Sequence, residues 1–165
     1  MMDQYHVPPE KDLVREAKYL AEVRLSVREY SASEMKSYLK RKGHDVQAAE
    51  KAVGELVEEG RLSDNRYARA ITRHQSMRDK GPMQILGKLK SKGVSINLKE
   101  VKSIYGDVSD HSEADQIVRI LERRYSRANE DEGIARKAYQ GLLRRGFSSD
   151  AIRVSLKKFK DPEAD

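Results

Sequence analysis

Three arginines supply the sharpest chemical signal in the chain. Arg66, Arg69 and Arg73 stand three and four residues apart. At about 100° per helical residue they fall within an arc of about 60°. Tyr67, Ala70, Ile71 and His74 form the neighbouring stripe and are expected to pack, His74 at a core edge. Lys80 would join the basic face if the helix reached that far, and Lys88, Lys90 and Lys92 follow on the next segment. Guanidinium forks suit phosphate and carboxylate equally, so spacing alone leaves the anion open. Aromatic residues are scarce among these cations, which disfavours a stacking platform for single-stranded nucleic acid.

Other chemistries find no footing. His6, His44, His74 and His111 are far apart and form no HxxxH or HExxH pair, so no metal site is expected. Gly81 to Lys88 has one residue too many for a phosphate loop, and Leu89 stands where Ser or Thr must bind magnesium. No serine sits in a GxSxG elbow. The absence of cysteine removes disulfides, thiolate ligands and thiol nucleophiles. Neither enzymatic activity nor a cofactor is expected, which leaves binding to a macromolecule.

Charge says where. Residues 61–106 hold eleven Lys/Arg against three Asp/Glu, a net +8, whereas residues 1–60 and 107–165 net −2 and 0. A focused basic block suggests an anionic partner. Neutralising Arg119, Arg123 and Arg127 in the balanced last third is expected to matter less. No run of apolar residues is long enough to span a membrane, and the first residues lack a signal core, so a cytoplasmic protein without membrane association is expected.

The elements that position these residues are helical. Prolines are few and alternating β-branched runs are absent. Lys42-Gly43, Lys92-Gly93 and Arg145-Gly146 each place a cation and then glycine at a helix end. The cation suits the negative pole, and glycine accepts the left-handed C′ conformation. Leu39, Leu89 and Leu142 lie four residues before these glycines, on a buried face. Asp45, Ser95 and Ser148 follow two residues after and can cap the next helix. Ser31 and Glu34 form a capping-box pair, and Pro82 after Gly81 suits a first helical turn.

The spacing predicts an all-α fold: an elongated, curved array of three tandem three-helix repeats over residues 12–60, 61–107 and 108–160. Segments 1–11 and 161–165 are expected to be flexible. Helices are expected near 12–29, 32–42, 46–59, 64–79, 82–92, 96–105, 112–125, 131–145 and 149–159.

These residues resemble the RecX family of recombinase regulators. Gly60-Arg-Leu-Ser-Asp64-Asn-Arg-Tyr67-Ala68, then Gly81-Pro82, Ile85, Leu89 and Lys92-Gly93-Val94, is similar to its G-x-L-x-D-x-x-[FY]-A and G-P-x-x-I-x-x-x-L-x-x-K-G-[IV] segments. Arg28, Tyr30-Ser31, Glu34-Met35 and Leu39 resemble its opening, and Arg144-Arg145-Gly146-Phe147-Ser148 its closing segment. Ala70 departs from the bulky residue common there and suggests looser packing in the second repeat. The resemblance implies a non-enzymatic bacterial regulator that binds RecA filaments on single-stranded DNA. It would suppress their ATPase, strand-exchange and coprotease activities, and so modulate DNA repair, recombination and the SOS response. It would act as a monomer, with weak direct DNA contact at most. The motif residues themselves read as structural: Gly43, Gly60, Gly81, Gly93 and Gly146 for turns, Asp64 for a cap, and Tyr67, Leu142 and Phe147 among the core. From the residues alone, a helix-turn-helix DNA reader or a helical-repeat adaptor for another acidic partner stays open.

Overall fold

The computed structural model describes residues 9–109 and 111–161. Most of the two expected flexible ends, together with His6, lies outside the described residues. The described residues are helical, with no strand among them. The helices are α1 (Glu10–Leu25), α2 (Ala32–Arg41), α3 (Val46–Glu58), α4 (Asp64–Ser76), α5 (Pro82–Ser91), α6 (Leu98–Val108), α7 (Glu113–Arg124), α8 (Glu132–Arg144) and α9 (Ser149–Lys160). A short 3-10 helix, Ser126–Asn129, separates α7 from α8 and was not foreseen from the spacing.

The chain forms two compact units. One takes the described residues up to Tyr67 together with Lys92–Val94; the other takes Ala68–Ser91 and Ser95 onward. In the first unit α1, α2 and α3 enclose a core of small and medium side chains: Val14, Ala17, Ala21, Met35, Leu39, Ala52 and Leu56. Alanine on the facing sides of α1 and α3 lets these helices approach closely, which suits a chain with no Trp and two Phe. In the second unit Ile117, Ile120, Leu121, Ala138, Leu142, Phe147 and Ile152 make the core of α7, α8 and α9. Leu39, Leu89 and Leu142 are fully buried, as their place before the three glycines predicts.

The glycine turns have the expected conformation, with φ of +89° at Gly43, +73° at Gly93 and +86° at Gly146. Two of them also receive a helix N-terminus. In the first unit Ser31 Oγ donates to the Lys92 carbonyl at 2.6 Å, and Ser33 lies so close to Gly93 that a Cβ there would overlap it. In the second unit the Gly81 amide donates to the Arg145 carbonyl at 2.8 Å and the Met83 amide to that of Gly146 at 3.0 Å. A Cβ on Gly81 would meet the Gly146 carbonyl at 2.5 Å. Docking of this kind, through a side chain in the first unit and through backbone in the second, ties the start of one second helix to the turn after another.

Several local expectations are corrected. Glu34 does not complete a capping box: Ser31 Oγ accepts from the Glu34 amide, but the Glu34 carboxylate pairs with Lys92 at 3.0 Å. Asp64 does not cap its own helix; its Oδ1 accepts from the Ala32 amide at 2.8 Å and so caps α2, while Ser63 Oγ accepts from Arg66. The cap of α6 is Asn97 rather than Ser95, in a full box with Glu100. The buried side of α4 is Tyr67, Ala68, Thr72, Gln75 and Ser76, so Ala70 and His74, expected to pack, face solvent. An alanine at an exposed position loosens nothing.

Candidate functional site

Helix α4 does carry Arg66, Arg69 and Arg73 on its exposed side. They are not equivalent. Within the first unit, Arg66 Nε donates to Glu29 at 2.9 Å and its terminal nitrogens to the carbonyls of Gly60 and Arg61. It therefore closes the turn between α3 and α4. Within the second unit, Arg69 pairs with Asp107 of α6 at 3.1 Å. Arg73 has no ion pair among the described residues. Lys92 is spent on Glu34. Lys88 and Lys90 are exposed on α5 without such a partner, and Lys80 is half-buried, likewise unpaired among the described residues. The helix ends at Ser76, so Lys80 does not extend the arginine face. Four of the seven candidate cations are thus free to meet an anion, and three already hold the fold.

In the first unit a polar cluster backs the motif residues. Burial opposes ionisation of Glu34, but Lys92, the Tyr67 hydroxyl and Arg28 outweigh it and hold its carboxyl below the usual range. Burial, and next the Glu34 charge, push the Tyr67 phenol up to about 12. Arg28 also lies 3.5 Å above the Tyr30 ring. Within the first unit, Tyr67 and Glu34 thus link the first turn of α4 to α2.

The second unit holds a residue that sequence reasoning passed over. Asp79 has φ of +60°, in the left-handed region otherwise occupied here by glycine, and is 6% exposed. Its carboxylate accepts from Arg123 and, at 3.1 Å, from Gln116 Nε2. Arg124 and Arg145 lie at 3.6 and 3.9 Å. Three guanidiniums from α7 and the end of α8 converge on one anion. The only available signal was an Asp three residues beyond the last turn of a helix, since Asp tolerates this conformation better than most residues.

Beside Asp79 an open trough of about 890 Å³ runs between α7 and the ends of α4 and α6. Arg73 and Met77 stand on one wall, Arg119, Glu122 and Arg123 on the other. So two of the arginines expected to matter less lie in the same trough as Arg73. Among the described residues no group of three His, Asp or Glu side chains could hold a metal ion. Among the described residues no helix is long and apolar enough to cross a membrane.

Known proteins match this chain along most of its length. Three family models match in order: the first RecX three-helix domain at residues 17–56, the second at 63–98 and the third at 112–154. The chain is 30% identical over 135 residues to the regulatory protein RecX of Halorhodospira halophila, covering 79% of this chain and 80% of that protein. It is 31% identical over 137 residues to that of Legionella pneumophila, covering 82% and 89%. The crystal structure of RecX from Lactobacillus salivarius superposes with a TM-score of 0.74 at 22% identity, covering 90% of this chain and 97% of that one, a likeness of fold. With each of the three domains matched in turn, the chain belongs to the RecX family of regulatory proteins.

Proposed function

We propose that this protein binds RecA-type recombinase filaments on single-stranded DNA and lowers their ATPase, strand-exchange and coprotease activities. The observation that carries the reading is membership of the RecX family through all three domains. The exposed cations Arg73, Lys88 and Lys90 and the half-buried Lys80, unpaired among the described residues, support it, because they leave anion-binding capacity on the surface after the internal ion pairs are made. Repeats over residues 12–60, 61–107 and 108–160 would touch neighbouring recombinase subunits together. Several weak contacts then add through effective concentration. A regulator that prefers one filament state shifts the population only by its differential affinity, so inhibition needs no chemistry of its own. The setting would be the cytoplasm, the protein a monomer, and direct DNA contact secondary.

The test is single-stranded-DNA-dependent ATP hydrolysis by the cognate recombinase, titrated with this protein at substoichiometric ratios. Progressive inhibition is expected. An unchanged rate at equimolar protein, with strand exchange also unaffected, overturns the reading. Sequence-selective binding to duplex DNA would instead favour a helix-turn-helix reader.

A further inference from the structure

The trough beside Asp79 has a mixed lining. Arg73, Arg119 and Arg123 supply guanidiniums, Met77 is 79% exposed at the edge, and Val108 is apolar and nearly buried. Arg73 and Arg119 make no ion pair among the described residues. Asp79 is the acid at the base, and its charge is outnumbered by Arg123, Arg124 and Arg145. The trough therefore stays cationic although two acids, Asp79 and Glu122, line it. It continues past His111 and Arg119 into a second hollow of about 400 Å³ along α7 and α9, where Val118, Val154 and Lys158 repeat the same mixture. Every one of these residues belongs to the second unit.

This lining discriminates between two anions. A strand of nucleic acid favours an unbroken cationic track with aromatic rings for its bases. Among the described residues no Phe, Tyr or Trp lines either hollow, the one ring there is His111, and Glu122 interrupts the cations. A polypeptide with carboxylates spaced around apolar side chains matches better: arginine forks take carboxylates bidentately, and methionine adapts its shape to an apolar anchor. We propose that this trough is the docking site for an acidic, apolar-anchored polypeptide segment of the recombinase, with Arg73 and Arg119 meeting carboxylates and Met77 and Val108 an apolar side chain. The proposal rests on the recombinase-binding function above and places the principal contact on α7 together with the end of α4, rather than along the arginines of α4.

The experiment uses the full chain and two probes: the recombinase filament assembled on single-stranded DNA with a slowly hydrolysed nucleotide, and the bare oligonucleotide. Binding of the double variant Arg73→Glu/Arg119→Glu, and separately of Met77→Asp, is measured by fluorescence anisotropy. The control is Arg136→Glu/Lys137→Glu, equal in charge and exposed on α8. All altered side chains are exposed, and a thermal melt of each variant reports whether the fold is kept. The expected result is a loss of about tenfold or more in filament affinity for both trough variants. The control and all bare-DNA affinities should stay within about twofold, the range of an exposed charge without a partner. Wild-type filament affinity in both trough variants overturns the proposal while leaving the proposed function standing. So does an equal loss in the control, which would mean diffuse charge. A parallel loss on bare DNA overturns it in favour of a nucleic-acid groove. Failure of the unaltered protein to bind the filament overturns both.

Discussion

Asp79→Asn isolates the charge at the centre of the second unit. Asn keeps the shape and tolerates the left-handed backbone that Asp79 adopts, so only the carboxylate charge is lost. Three arginines then face each other without a counter-ion. Removing one partner of a fully buried pair costs about 3–5 kcal/mol. Here Arg123 and Arg124 are 58% and 50% exposed and can regain water, whereas Arg145, at 23%, and the Gln116 amide can do so less. The expected loss is therefore below that range, about 2 kcal/mol. For a chain of this size that lowers the melting temperature by about 4–8 °C, followed by circular dichroism at the helix band. Asp79→Ala adds left-handed backbone strain of about 1–2 kcal/mol and should melt lower still. A melting temperature for Asp79→Asn within about 1 °C of the unaltered protein would refute the role of the charge. An Asp79→Ala variant no worse than Asp79→Asn would refute the role of the backbone.

Gly43→Ala and Gly93→Ala share the cost of positive φ, about 1–2 kcal/mol, but only Gly93→Ala also drives a methyl into Ser33, so urea unfolding should show the larger loss there. Leu89→Ala should cost about 2–5 kcal/mol by the same assay, because its side chain is fully buried. Tyr67 has a folded-state pKa raised from 10.0 to about 12, so it contributes stability in full below pH 10 and loses it as pH rises towards 12. Melting temperatures across that window should fall more steeply in the unaltered protein than in Tyr67→Phe; parallel curves would refute the assignment.

What the sequence determined by itself is what local chemistry can determine. The helices and the three cation-glycine turns follow from apolar spacing, a positive φ that glycine adopts at no steric cost, and leucines one turn back, interactions reaching no further than about four residues. The family resemblance rests on the same punctuation, and so do the caps at Asp45 and Ser148. The exposed face of Arg66, Arg69 and Arg73 was legible too, being a matter of helical phase. Which of those arginines is free was not: Arg66 is taken by Glu29, 37 residues away, and Arg69 by Asp107, 38 away. Asp64 looks like a cap for its own helix because cap chemistry is local, yet it serves Ala32 across 32 residues. The opposite error buried Ala70 and His74 on the pattern, since the polar Thr72, Gln75 and Ser76 that α4 actually buries carry no hydrophobic signal. Only the folded second unit brings Arg119 and Arg123, from a stretch of balanced charge, beside Arg73 and around Asp79. Charge counted along the chain cannot find such a site, because electrostatic attraction acts through space and its partners are chosen by how the helices pack.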